Sequence, residues 1–156
     1  MCDEENQVII RPMDFDDIEQ IVEIEKACFS SPWSAYAFEC ELHDNQFANY
    51  LVVALAEDES KLVGYGGLWV IIDEGHITNI AILPEYRGKK LGELLMLNLI
   101  QIALAKDTTR MTLEVRASNN AAIKLYEKFG FKTEGVRKGY YIHPREDALI
   151  MWAKLV

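Results

Sequence analysis

Residues 75–106 constrain the fold of this chain more than any other stretch. Residues 75–82 read as a strand, 83–90 as a turn, and the remainder as one long apolar helix. Leu91, Leu94, Leu95, Met96, Leu97, Leu99, Ile100, Ile102, Ala103 and Leu104 occupy nearly the whole helical circumference, which predicts a helix covered on all sides. The turn before it, Arg87-Gly88-Lys89-Lys90, sets cations and a glycine where unpaired backbone N–H groups and the helix dipole favour an anion. A phosphate-bearing cofactor suits that place, although a basic turn before a helix is by itself also the pattern of a solvated cap. Two nucleotide motifs are excluded. The turn lacks the Gly-Lys-Ser/Thr ending of a P-loop, and Gly64-Tyr65-Gly66-Gly67 has neither the third glycine nor the following helix of a dinucleotide fingerprint.

The chain has 156 residues, half of them apolar, which suits one domain over residues 1–156 burying about two-thirds of its unfolded surface. A formal net charge of −9 disfavours nucleic acid, because no basic field is present to release counterions from a phosphate backbone; a basic protein partner fits better. Residues 1–7 are acidic and lack the apolar core of a secretory signal. The longest apolar run, residues 62–72, is too short to span a bilayer. Cys2, Cys28 and Cys40 form no disulfide framework and suit a reducing compartment, so a cytoplasmic location without membrane attachment is expected. Cys40-x-x-His43 is one short pair without a second, and no metal is expected.

Along the chain, residues 8–11 read as a strand. Pro12, Asp14, Asp16 and Asp17 open a helix that runs to about Phe29. Ile18, Ile21, Val22, Cys28 and Phe29 line one face of it, and Glu25 is the charged member of that stripe. Glu25 either sits at the stripe's edge and reaches water or faces a cleft and receives a positive group. After the break at Ser30-Ser31-Pro32-Trp33, residues 34–42 form a second short helix, and strands at 50–55 and 62–72 make a hairpin. Residues 110–116 alternate, with Met111, Leu113 and Val115 on one side and Thr112, Glu114 and Arg116 on the other. Residues 118–120 cap a helix that Gly130 ends, and strands at 131–142 and 148–154 close the chain. The order β-α-α-β-β-β-α-β-α-β-β describes an α/β fold, a mixed central sheet flanked by helices.

That order is the one GNAT acetyltransferase domains follow, and Arg87-x-x-Lys90-x-Gly92 resembles their Arg/Gln-x-x-Gly-x-Gly/Ala pyrophosphate loop with its middle glycine replaced. Four further pieces resemble the RimI-type protein N-terminal acetyltransferases within that superfamily. They are Phe29-Ser30-Ser31-Pro32-Trp33; Thr78-Asn79-Ile80-Ala81-Ile82 with Pro84-Glu85-Tyr86-Arg87; Leu113-Glu114-Val115-Arg116-Ala117-Ser118-Asn119 with Leu125-Tyr126-Glu127; and Tyr140-Tyr141 with Arg145-Glu146-Asp147-Ala148. The resemblance implies a GNAT fold and acetyl transfer from acetyl-CoA to a protein α-amine, typically the alanine terminus of the eighteenth small-subunit ribosomal protein.

By that resemblance Glu114 is the general base and Tyr126 the general acid. An α-amine with pKa of about 8 must lose a proton before it can attack a thioester, and a phenol beside the sulfur can return one to the departing thiolate. Without the resemblance Glu114 is equally a solvent-facing strand residue and Tyr126 a core aromatic. Ile80, Ala81 and Ile82 would offer backbone groups to the pantetheine arm, Arg87, Gly88, Lys89, Lys90, Leu91 and Gly92 would hold the pyrophosphate, and Asn119 would contact acetyl-CoA. Lys90 is read into the helix's first turn, where it adds a cation; a left-handed backbone there would cost about 1–2 kcal/mol. Phe29, Pro32 and Trp33 would face Tyr140 and Tyr141 across a slot for the first residues of a peptide, with Glu25 attracting basic residues behind them. His76 and His143 receive no role. Acetylation of a lysine side chain or a small amine, and a non-catalytic acetyl-CoA-binding module, stay open as alternatives.

Overall fold

A computed structural model describes residues 7–156. A seven-stranded sheet runs through it in the order β1-β2-β3-β4-β5-β7-β6. The strands are β1 (Val8–Pro12), β2 (Ala48–Leu55), β3 (Leu62–Ile71), β4 (Glu74–Ile82), β5 (Arg110–Arg116), β6 (Lys132–Ile142) and β7 (Arg145–Lys154). The last strand begins three residues earlier than its apolar pattern suggests, because Arg145 and Glu146 pair with Ile142 and Tyr141 and leave only His143 and Pro144 in the turn. Every neighbouring pair is antiparallel except β4 and β5.

Helices cover both faces. Alternation along β2 sends Leu51 and Val53 to one side and Tyr50, Val52 and Ala54 to the other, so this strand is buried twice over. On the first side α3 (Leu91–Ala105) and α4 (Asn120–Lys128) pack Leu95, Met96, Leu99 and Tyr126 against Met111, Leu113 and Met151. On the second, α1 (Ile18–Cys28) and α2 (Ala35–His43) pack Ile21, Ile24 and Phe38 against Tyr65 and Ala81. The expectation of an all-round buried α3 is corrected: Leu94, Leu97 and Leu104 are 39–46% exposed. A single helical layer lies on this face of the sheet, so only the side of α3 turned to the strands and α4 is covered. No helix among the described residues is long and apolar enough to cross a membrane.

Short-range chemistry ends these elements. Ser34 caps α2 by accepting from the Ala37 N–H, and Asn119 caps α4 by accepting from the Ala122 N–H. Gly130 follows α4 at φ 89°, a backbone that a side chain would strain.

Candidate active site

The site begins where β4 and β5 part. Their parallel pairing lasts three rungs, Glu74–Arg110, Gly75–Met111 and His76–Thr112. Beyond His76 each strand bonds only outward, β4 to β3 and β5 to β7, so the backbone groups on the facing edges are left for a guest. Two features open the gap. Thr78 is an extra residue on β4 between the Gly67–Asn79 and Leu68–Ile77 rungs, and such a bulge bends its strand. Opposite it, a Cβ on Gly67 would collide with Thr78 and Tyr50.

The gap continues into a cleft of about 370 Å³ between β4, α4 and the turn before α3. Ile80, Ala81, Ile82, Arg87, Gly88, Lys90, Leu91, Gly92, Asn119 and Tyr126 all line it, together with Cys28 and Phe29. Lys89 does not; its ammonium lies 5.5 Å from the centre of the Tyr86 ring. Gly88 at φ 80° and Lys90 at φ 62° curl the turn so that α3 starts at Leu91. Lys90 is therefore the left-handed N-cap and not a first-turn residue as its sequence reading had it. The chain leaves the Pro84–Tyr86 turn and Arg87 in extended backbone, and reversing it into α3 within three residues requires positive φ. Arg87 folds back across the cleft wall, donating from Nε to the Ile82 carbonyl at 2.9 Å and from its terminal nitrogen to Cys28 Sγ at 3.4 Å. Gly92 lets α3 approach α4, since a Cβ there would stand 3.3 Å from Leu125.

Tyr126 is 7% exposed on α4, beside Phe131 at a ring separation of 6.0 Å. Its hydroxyl makes no hydrogen bond among the described residues. Burial pushes this phenol's pKa well up, with Tyr141 adding to the effect, so it keeps its proton at neutral pH. Glu114, on β5, meets His76 Nε2 at 2.7 Å through Oε2 and stands 3.9 Å from Arg137 through Oε1. The His76 hydrogen bond, opposed by burial and helped by the Arg137 charge, holds this carboxyl below its ordinary range. Tyr141 lies between the two groups electrically: Glu114 is among the causes that, after burial, bring its own phenol up to about 12.

Of the residues expected to hold a peptide, Phe29 lines the cleft, whereas Pro32, Trp33, Tyr140 and Tyr141 do not. The loop of residues 29–34 carries Phe29, Pro32 and Trp33, and its Ser30 hydroxyl donates to the His143 carbonyl in the β6–β7 turn, tying the loop to that turn. On β6, Tyr140 and Tyr141 meet edge-on at 5.1 Å, each with an arginine over its ring, Arg137 and Arg116 respectively, while Trp33 packs on Phe38 with 5.4 Å between ring centroids. Glu25 does not reach water as its place at the stripe's edge suggested. It is 1% exposed, accepting from the Trp33 N–H at 3.0 Å and from the Tyr65 hydroxyl, which in turn accepts from Asn79. Burial raises its pKa against those hydrogen bonds. Its carboxylate ties the Trp33 backbone to β3 from within and, contrary to expectation, is not open to a substrate's basic residues.

The partners His76, Arg137, Tyr65 and Asn79 escaped sequence reasoning. Strict alternation along β4 would put Asn79 on the face opposite His76, and the bulge at Thr78, which no sequence pattern announces, brings the two to one side. Among the described residues no group of three His, Cys, Asp or Glu side chains could hold a metal ion.

Residues 18–131 match the model of the Acetyltransferase (GNAT) family. The chain belongs to the GNAT acetyltransferase family. GNAT enzymes use acetyl-CoA, and the open strand edges, the positive-φ turn and the Arg87 and Lys90 cations of this member fit that molecule's amide arm and phosphates. A Bacillus subtilis (strain 168) protein provisionally named ribosomal protein bS18-alanine N-acetyltransferase is 47% identical over 146 residues, 94% of this chain and 95% of the relative. The Haemophilus influenzae protein of the same assigned activity is 38% identical over 92% of this chain and 96% of its own length. The crystal structure of the ribosomal-protein-S18-alanine N-acetyltransferase from Escherichia coli superposes with a TM-score of 0.85 at 30% identity, covering 96% of this chain and 94% of that one.

Proposed function

We propose that this GNAT acetyltransferase acts on a protein N-terminus, and that its substrate is the N-terminal alanine of ribosomal protein bS18. The observation that carries the reading is the opening between β4 and β5 with an ionised carboxylate on one side, Glu114, and a protonated phenol on the other, Tyr126. Acetyl-CoA supplies an activated acetyl thioester there. The α-ammonium of the substrate gives up a proton on the Glu114 side, the free amine attacks the thioester carbonyl, and Tyr126 returns a proton to the departing sulfur. Cleft residues 80–82, 87, 88 and 90–92 with Asn119 hold the cosubstrate. Phe29, Pro32 and Trp33 opposite Tyr140 and Tyr141 clamp the peptide's first residues, and Glu25 keeps the Trp33 wall in place. The named activity of the bacterial relatives supports the choice of an alanine terminus, and a net charge of −9 suits a basic partner.

The test is CoA release from acetyl-CoA with a peptide beginning Ala and continuing with basic residues. The same peptide with a blocked N-terminus and an internal lysine is run beside it, and Glu114→Gln beside the wild type. Turnover on the free terminus alone, lowered about 100-fold in Glu114→Gln, is the expected result. Equal turnover on the blocked peptide would assign the enzyme to lysine side chains or to amines in general.

A further inference from the structure

His76 stands on the last β4–β5 rung before the strands separate, beside the carboxylate to which the reaction above has been assigned. At 2.7 Å two lone pairs cannot face one another, so with Glu114 ionised the proton of the neutral ring sits on Nε2 and Nδ1 is the free lone pair. Nδ1 has no hydrogen-bond partner among the described residues, and the side chain is 33% exposed. The ring is also held in orientation. Trp69 meets it edge-on, 5.7 Å between centroids and 89° between planes, and the Trp69 indole N–H is anchored on Glu41 at 2.8 Å. A base held by a carboxylate on one nitrogen, open on the other and fixed in angle is the geometry of the orienting half of a catalytic triad.

We propose that the base of this enzyme is the Glu114–His76 pair, in which the imidazole takes up the proton leaving the substrate's α-ammonium and Glu114 offsets the resulting charge. The proposal rests on the α-amine reading above. In the step, an N–H bond of the ammonium breaks, its electron pair stays on nitrogen, and the proton passes through water to Nδ1, giving an imidazolium hydrogen-bonded to an ionised carboxylate. The amine then attacks as described. The match in basicity favours this route. A carboxylate is a far weaker acceptor of an ammonium's proton than an imidazole is. Arg137, on the far oxygen of Glu114, makes the carboxylate a still weaker acceptor while leaving it ionised. The other charged or titratable groups around the ring are the Glu74–Arg110 pair one step back along the sheet, Glu41 behind Trp69, and Tyr141 beside Glu114.

The experiment measures kcat against pH for wild type, His76→Gln and Glu114→Gln on the alanine peptide at saturating acetyl-CoA. Glutamine at 76 keeps an N–H for Glu114 but cannot titrate. His76→Gln is expected to lose about 100-fold in kcat at pH 7 and to lose the acid limb of the profile, with KM for acetyl-CoA within about two-fold of wild type. In Glu114→Gln the limb remains and moves to lower pH, since the compensating charge is gone. A His76→Gln enzyme with wild-type kcat and an unmoved limb overturns the pair while leaving α-amine acetylation standing, and so does an unmoved limb in Glu114→Gln. Absence of turnover by the wild type on the free peptide would instead remove the reaction itself, and the pair's role with it.

Discussion

Lys90 places a side chain at φ 62° and ψ 20°, where its Cβ crowds the following carbonyl. No side-chain hydrogen bond at this cap offsets the strain. Glycine enters that region freely but loses more chain entropy on folding, so Lys90→Gly nets about 0.5–1 kcal/mol of added stability. Thermal denaturation should show a rise of about 1–4 °C, with acetyl-CoA affinity changed no more than a few-fold because the backbone N–H groups of the turn stay where they are. A fall in melting temperature would mean that the lysine's own contacts outweigh the strain. Glu25 shows the opposite case, a residue whose backbone is ordinary and whose side chain is costly to bury. Its hydrogen bonds to Trp33 and Tyr65 are what keep a carboxyl inside the α1–β3 layer, and they couple the sheet to the loop of residues 29–34.

At the scale of elements, the corner between β1 and α1 rests on Asp17. Both its oxygens accept from Arg11 at 2.8 Å, and Oδ2 also accepts from the Asp14 N–H at 2.9 Å, while Asp14 caps the same turn through Asp16. The Arg11 hydrogen bonds hold the Asp17 carboxyl below its ordinary value. A carboxyl depressed in the folded state contributes stability above its unfolded pKa, and that contribution is lost as pH falls through the folded value. Asp17→Asn is therefore expected to cost about 1 kcal/mol at pH 7, the low end because Arg11 is one-third exposed and screened. Urea titrations should show the gap from wild type narrowing below pH 4. A gap constant with pH would mean that the turn, not the ion pair, carries the effect. The same corner was legible in part beforehand: Asp14, Asp16 and Asp17 after Pro12 announce a helix start. That Asp17 turns inward to Arg11 follows only from β1 lying beside it.

For the whole molecule, the parting of β4 and β5 leaves the sheet joined across its middle by three rungs. A ligand that spans both edges completes the missing pairing, and it binds the folded chain alone. Acetyl-CoA at 100 times its dissociation constant should therefore stabilise the protein by about 2.7 kcal/mol and raise its melting temperature by about 5–10 °C. Differential scanning with and without acetyl-CoA checks this; no shift at saturating concentration would contradict the cleft's assignment. Much of that cleft could be read along the chain, because residues 80–82, 87, 88 and 90–92 are local to one strand–turn–helix unit. The cleft's far wall, Asn119 and Tyr126, was named only through the family resemblance, since both enter from α4, which the unit does not specify.

The amino-acid order alone settled what depends on near neighbours: the succession of strands and helices, the alternation of β5, the cap at residues 118–120, and the glycine stop at Gly130. It placed Glu114 on a polar strand face without a partner, because its contact with His76 joins residues 38 apart and exists only through the β4–β5 register. Glu25 and Tyr65, 40 residues apart, met in the same way through the packing of α1 on the sheet. Lys90's left-handed backbone and the uncovered side of α3 likewise followed from where the chain had to turn and from what lay beyond the helix. Periodicity reports which face of an element is apolar; the assembled sheet decides what that face meets.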